Sequence, residues 1–336
     1  MSVLLNGLNG MRPPVGIQML RNDVHCGRVP TLVDVHQLPE GLEQALHEHV
    51  FSRWDQEFLQ TPAGLQGVQE VLVNRLYNAL RFSVPWLQRQ IELSMSRIIE
   101  VGCGSGSSTA ALAMYAREVV GFDIDELAVK AAQARCQAYG LQNVRVHCTE
   151  PERLLDAIRD ADQADAYVLY AVLEHMTYAE RLTTLRTLWD LLAPGRFLVI
   201  FETPNRLAYL DQHTTDTAFF HLLPDELAFR YVDRIKRHGF RDSMKLTLEQ
   251  HLDVAALQRI RWGLGASFHE FEIALEEPLE ELVLADGFEQ EMTDFFPGGL
   301  DEELLTRFFL AQVVDQPIGF ARCVLSLILR KPASTA

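Results

Sequence analysis

Ile98-Ile99-Glu100-Val101-Gly102-Cys103-Gly104-Ser105-Gly106 decides the fold. A short apolar run breaks into three alternating glycines, and Ser107 to Arg117, rich in Ala, Leu and Met, follows with helical character. A strand that ends in glycines and restarts as a helix opens a strand–helix–strand unit. Glycines let the backbone turn sharply and, having no Cβ, let a ligand come close. The helix behind them turns its unpaired N–H groups toward that ligand. The spacing is G-x-G-x-G rather than the dinucleotide form G-x-G-x-x-G, and no Gly-Lys-Ser/Thr follows to make a phosphate loop. The spacing therefore disfavours a dehydrogenase. Glu100, just ahead of the glycines, would repel a phosphate and attract a cation. The loop points to a nucleoside that carries positive charge.

Downstream the same rhythm repeats. Strand patterns at 119–122, 144–147, 166–170 and 197–201 alternate with helical ones at 126–139, 151–159 and 178–192. Gly140 suits the position after a helix end, and Ala193-Pro194-Gly195 closes another. This order predicts a parallel sheet covered on both faces. A weakly alternating segment at 268–275 and the apolar run at 321–329 complete an α/β, doubly wound, mostly parallel seven-stranded sheet, the last strand antiparallel. Upstream, Val68, Val71, Leu72, Leu76 and Leu80 recur at three- and four-residue steps, an amphipathic helix interrupted or restarted at Pro85. The expected organisation is an N-terminal helical cap over 1–92 and an α/β core over 93–205. Helical lid and substrate-binding insertions over 206–318 and the final strand over 319–331 follow, with a helix start expected at Pro224-Asp225-Glu226.

Composition narrows the function. The 336 residues carry 30 Lys+Arg against 46 Asp+Glu, a net charge of −16, with 48% hydrophobic residues. That is a folded chain, and its acidity argues against nucleic acid as a partner. Thirteen acids and no Lys or Arg lie between Glu270 and Glu303, which reads as a solvated face before it reads as an attractor of cationic substrates. The five cysteines form no C-x-x-C pair, so a reducing compartment is expected and a zinc site is not. Neither a leader pattern nor a membrane-length apolar run is present. The expectation is a cytoplasmic protein without a metal or a membrane partner. Oligomeric state stays open, a homodimer being compatible with the sequence.

With these motifs in view, the sequence resembles the class I S-adenosylmethionine-dependent methyltransferases from Ile98 to about Asn205. The resemblance implies S-adenosylmethionine as cofactor, held by Glu100, Gly102, Cys103, Gly104, Ser105 and Gly106. It casts Asp123, at the end of the second strand, as the ribose carboxylate and Ile124 as the adenine neighbour. Asp125 is the competing ribose ligand or a helix cap. Thr149-Glu150 stands where the family more often has Asp, with Glu150 toward the adenine amino group. Tyr170-Ala171 matches the segment facing donor and substrate, and Arg196 stands where a second Gly is usual. Cys103 reads as a small loop residue and Cys148 as a core thiol.

Two histidines are candidate bases. His175 follows the fourth strand at the carboxyl edge of the sheet, where ligands bind in such folds. His213 lies in a polar cluster after the fifth strand, and either imidazole could take a proton near neutral pH. Glu202, Asn205, Arg206, Asp211 and His221 of that cluster are candidate substrate-binding residues, with turn-forming and helix-capping roles as the plainer alternative. The expected reaction moves a methyl group to a small molecule, foremost a hydroxyl or carboxyl oxygen of a sugar or secondary metabolite. The alternatives are N-methylation of a cationic amine, or a non-catalytic subunit that binds the nucleoside.

Overall fold

The structure, a computed structural model, describes residues 19–21, 31–33, 38–161, 163–208, 210–211, 213–249, 265–285 and 324–333. The chain divides into two compact units, Met1–Ala164 and Asp165–Ala336.

In the first unit, β1 (Met19–Arg21) and β2 (Thr31–Val33) pair antiparallel. Helix α1 (Leu42–His49) follows. A helical run then extends from Pro62 to Gln88. Its α segments, α2 (Pro62–Gln69), α3 (Arg75–Asn78) and α4 (Val84–Gln88), alternate with π-helical stretches at Glu70–Asn74 and Ala79–Ser83. Thr61 starts it: its hydroxyl accepts the Gly64 N–H at 3.0 Å, and Pro62 takes the first turn, where a missing N–H costs nothing. Pro85 restarts α-geometry after the second π stretch. Val68, Val71, Leu72, Leu76 and Leu80 are all buried, as their spacing requires.

The run precedes a three-stranded parallel sheet of β3 (Arg97–Val101), β4 (Glu118–Asp123) and β5 (Val144–Cys148). Helices α5 (Ser107–Ala113) and α6 (Glu126–Ala138) link these strands, and α7 (Leu154–Asp160) follows β5. Every residue of β3 is buried, as in strands covered on both faces. Gly140, at φ +66°, ends α6: its N–H reaches Gln137 O at 2.9 Å and that of Leu141 reaches Cys136 O at 3.0 Å, the paired bonds of a glycine C-terminal cap. The apolar face of the N-terminal helices, with Leu42, Leu46, Phe51, Val68, Val71 and Leu72, closes over Ala131 of α6.

In the second unit, β6 (Ala166–Tyr170) and β7 (Phe197–Pro204) pair in parallel around α8 (Tyr178–Leu191). Thr177 and Glu180 reciprocally cap α8, with the Glu180 carboxylate accepting the Thr177 N–H at 2.7 Å. A small hairpin, β8 (Leu210–Asp211) with β9 (Thr217–Ala218), follows β7. Then come α9 (Asp225–Arg230) and α10 (His238–Glu249), α9 starting where Pro224 predicts.

The segment Phe268–Leu275 corrects an expectation: it is a helix, α11, not a strand. Phe268, Phe271, Ala274 and Leu275 are buried while Ile273 is exposed, so its apolar residues are sorted by a three-to-four period and not by two. The remaining sheet strand is instead β10 (Val283–Ala285), behind α12 (Leu279–Leu282). β10 pairs antiparallel with β11 (Val324–Arg330), which pairs antiparallel with β7. The two units thus supply seven sheet strands, three and four, of the mostly parallel α/β class. Much of the acidic segment, residues 286–303, lies outside the described residues.

Candidate active site

In the first unit the glycine loop between β3 and α5 is tightly pinned. Gly102, Gly104 and Gly106 have φ of +76°, +50° and +78°, values that L side chains seldom adopt. The Gly102 and Cys103 N–H groups both donate to Phe122 O, at 2.8 and 3.1 Å, and Gly106 N–H donates to Cys103 O at 3.0 Å. Asp123 completes the arrangement. One of its oxygens accepts the Gly104 N–H at 2.7 Å and the other accepts the Asp125 N–H at 2.9 Å. A carboxylate has lone pairs for more than two donors, so Asp123 keeps capacity for a cis-diol while it shapes the loop.

Asp125 is a helix cap, accepting the Leu127 and Ala128 N–H groups at the start of α6, and it pairs with Arg53 at 2.6 Å. Those bonds hold its carboxyl below the usual range despite partial burial. Ile124 is 54% exposed beside Asp123, an apolar face open to a flat ring. Thr149 N–H donates to Asp123 O at 2.9 Å, which brings Thr149 and exposed Glu150 to the same carboxyl edge.

A Cβ on Gly104 would meet nothing within 4 Å, whereas one on Gly106 would stand 2.7 Å from Ala132 Cα. Gly104 therefore faces open space, and Gly106 lets α6 pack against the loop. These residues fit a nucleoside donor: an acidic diol acceptor, a bare-backbone bend and an exposed apolar neighbour.

Glu100 is placed differently from its expected ligand-facing position. It is fully buried, and its Oε2 accepts the Thr109 hydroxyl at 2.5 Å. Burial pushes its carboxyl up to about 7, against hydrogen bonds from Ser108 and Thr109 that lower it. Cys103 is buried and its thiol is raised well above the usual value, chiefly by burial, which suits an inert loop residue. Cys148, expected in the core, is exposed. As a strand-end residue of an edge strand it is left uncovered.

In the second unit the carboxyl ends of β6 and β7 meet. Ala171 and Glu202, each just past the last β6–β7 pair and Glu202 still within β7 where it shifts register against β11, have φ of +51° and +52°. Tyr170 stacks on Phe201 with ring centroids 4.9 Å apart. Strained backbone of this kind concentrates at functional sites. His175 and His213 lie together, ring centroids 6.1 Å apart in an edge-on arrangement. His175 is exposed, with Nε2 4.0 Å from Glu174 Oε1. His213 is half-buried, its Nδ1 3.1 Å from the Thr214 hydroxyl and its ring beside Phe240.

The remaining residues of the polar cluster hold the loop. Asn205 accepts the Leu207 N–H at 2.9 Å and is buried. Asp211 is buried, and its two oxygens accept the N–H groups of Thr214 and Thr215, each at 2.9 Å. His221 is buried with Nε2 against the Ala208 carbonyl. Both Asp211 oxygens and His221 Nε2 thus serve main-chain groups of the loop, a turn-holding arrangement.

Arg206 sits close enough to Glu270 to lower its carboxyl. Arg181, which the sequence reading passed over, anchors this region. It is fully buried in α8, with Nε 2.9 Å from Glu270 Oε2 and Nη1 donating to Gly265 O at 2.9 Å. Burial raises Glu270 and lowers Arg181, the ion pair opposing both. The signal was an arginine in the inward row with Thr184, Leu185 and Leu188.

A cleft of about 760 Å³ lined by Arg97, Arg117, Glu118, Asn143 and Arg145 lies at the amino edge of β3–β5, opposite the glycine loop. Among the described residues, no group of three or more His, Cys, Asp or Glu could hold a metal, and no helix is long and apolar enough to cross a membrane.

Known proteins resemble this chain over part of its length. The family described as "Methyltransferase domain" matches residues 98–195, from β3 to the turn before β7. The likeness to that domain runs from β3 through α8 and leaves the rest of the chain outside it. "Ubiquinone biosynthesis O-methyltransferase" of Coxiella burnetii (strain RSA 493 / Nine Mile phase I) is 30% identical over 151 residues, 44% of this chain and 61% of that protein. The protein of the same name from Ruegeria pomeroyi is 32% identical over 146 residues, 39% of this chain and 56% of that protein. The chain thus spans about three-fifths of the curated relatives it matches. Among solved structures, magnesium protoporphyrin IX methyltransferase from Synechocystis is similar at 21% identity and a TM-score of 0.36, over 48% of this chain and 71% of that one.

Proposed function

We propose that this protein is an S-adenosylmethionine-dependent methyltransferase that acts on an oxygen of a small molecule. The observation that carries the reading is the Asp123 carboxylate, which ties down the Gly104 amide and stands beside exposed Ile124. The matched methyltransferase family and relatives named as O-methyltransferases support it. The bound donor would supply an electrophilic methyl group on a cationic sulfur. Asp123 would hold its ribose, with Ile124, Thr149 and Glu150 around its base and the glycine loop beneath it.

His175 and His213 are the groups with chemistry to remove a hydroxyl proton. Tyr170 and Glu202 would orient the acceptor. The protein's main contribution is closeness and alignment of the two reactants. A carboxylate acceptor would need no base, and among hydroxyl compounds a sugar or secondary metabolite is the acceptor class we favour.

Calorimetry with S-adenosylhomocysteine tests the donor reading. Wild type is expected to bind, and Asp123→Ala to lose at least about tenfold, the worth of one or two charge-assisted hydrogen bonds. Absence of heat from that compound, with uptake of a nicotinamide cofactor instead, overturns it. Labelled methyl transfer to a panel of phenols, sugars, carboxylic acids and amines tests the acceptor. Transfer to amines alone would replace the oxygen reading with N-methylation.

A further inference from the structure

Arg135 has no exposed surface, and its neighbours in α6 are Ala131, Ala132 and Cys136, small apolar residues that are themselves buried. Its guanidinium engages three main-chain carbonyls. Nε donates to Ser105 O at 2.9 Å, Nη2 to Val71 O at 2.7 Å and Nη1 to Leu72 O at 3.4 Å. Ser105 belongs to the glycine loop. Val71 and Leu72 belong to the first π-helical stretch of the N-terminal run. Among the described residues no carboxylate pairs with Arg135.

Burying a cation without a counter-ion is costly, and an apolar side chain of similar volume would pack as well or better. What an apolar side chain lacks is a rigid fork of donors that spans two segments at once. The other bonds of the loop run within it or to β4: Gly102, Cys103 and Gly104 are tied to Phe122 and Asp123. Arg135 ties the loop in the remaining direction, to the helices ahead of the sheet. π-Helical stretches recur at functional positions, because they offer main-chain groups in places an α-helix does not.

We infer that Arg135 is a positioning residue that couples the N-terminal helical run to the donor loop, so that donor affinity depends on the conformation of residues 70–74. The inference rests on the donor reading above. It makes the N-terminal helices part of the binding apparatus rather than a separate cover.

The test compares wild type, Arg135→Met and Arg135→Lys by calorimetry with S-adenosylhomocysteine, thermal melting, and amide hydrogen exchange without ligand. Arg135→Met is expected to lose roughly ten- to hundredfold in affinity, the range for a charge-assisted hydrogen bond, with its melting temperature held or raised. Arg135→Lys should be intermediate, since one ammonium can serve the loop or the helix but not both. Exchange should quicken in Arg135→Met in both 102–106 and 70–76, and not in β3. Wild-type affinity in Arg135→Met, or faster exchange in one segment only, overturns the inference. If Arg135→Met does not fold, Arg135→Lys decides: unchanged affinity and exchange overturn the coupling. If wild type itself takes no S-adenosylhomocysteine, the donor reading has failed, and the exchange measurement still decides whether Arg135 couples the two segments.

Discussion

The Tyr170 hydroxyl donates to Glu202 Oε1 at 2.9 Å, across the carboxyl ends of two parallel strands. The bond joins a residue expected on the donor side to one expected on the acceptor side. It also holds Glu202 where its backbone is left-handed. Such a conformation costs a non-glycine residue about 1–2 kcal/mol, and here it falls in the register shift of β7 against β11, where the Glu202 N–H donates to Ser326 Oγ at 3.2 Å.

Glu202→Gly separates the two effects. It relieves the strain and removes the acceptor for Tyr170, terms of similar size and opposite sign, so stability should shift by less than about 1 kcal/mol. Turnover with an identified acceptor should fall about tenfold or more in both Glu202→Gly and Glu202→Gln. Thermal melting and steady-state rates check this; an unchanged rate in Glu202→Gln removes the carboxylate from acceptor binding.

Gly104 and Gly106 should respond differently to the same added methyl group. At Gly106 an alanine meets Ala132 at 2.7 Å and a positive φ, so overpacking and strain add, to about 2–4 kcal/mol of destabilisation. At Gly104 the new methyl meets open space, and only the backbone strain of about 1–2 kcal/mol remains. Gly104→Ala should therefore stay folded while its methyl fills the donor's place. Melting curves and S-adenosylhomocysteine titrations distinguish the two, and full donor affinity in Gly104→Ala would mean that the donor does not lie against this glycine.

His175 and His213 should act as a pair. With rings 6.1 Å apart and edge-on, each ring's placement depends on the other. His175→Ala and His213→Ala should each slow turnover more than they change donor affinity. Their double variant should lose less than the product of the single losses, since contacting residues are not additive. A strictly multiplicative double variant would mean that they serve separate functions.

The features legible in the sequence were those set by local backbone chemistry. Gly140 ends α6 and Asp125 caps it because a left-handed turn and a free helix start each demand particular residues. Partners distant in the chain left no such trace. His-Glu-Phe-Glu-Ile-Ala-Leu at 269–275 alternates on paper, yet burial of Phe268, Phe271 and Ala274 with exposure of Ile273 makes it a helix on α8. Asp211 and His221 carry catalytic-looking chemistry, but their partners are main-chain groups of the loop. Arg135 and Arg181 look like breaks in an apolar row until the carbonyls they reach are seen, 30 to 84 residues away.

Glu100 gives the clearest pH dependence. Its carboxyl titrates near 4.5 in a solvated chain and at about 7 in the fold, because burial disfavours the charge. The folded state therefore holds more protons than the unfolded one between those values. Stability from this group is present in full below pH 4.5, declines as pH rises through the window, and is gone above about 7. The span corresponds to about 3 kcal/mol. Glu100→Gln keeps the shape, stays neutral and can still accept from Thr109, so its stability should be flat across the window and should exceed that of wild type at pH 8. A cationic donor would favour the ionised carboxylate, so wild-type affinity should rise from pH 6 to pH 8 while that of Glu100→Gln does not. Denaturant melts and donor titrations at the two pH values check both halves, and a wild type as stable at pH 8 as at pH 5, once other groups are matched through Glu100→Gln, would show that the buried carboxyl titrates normally.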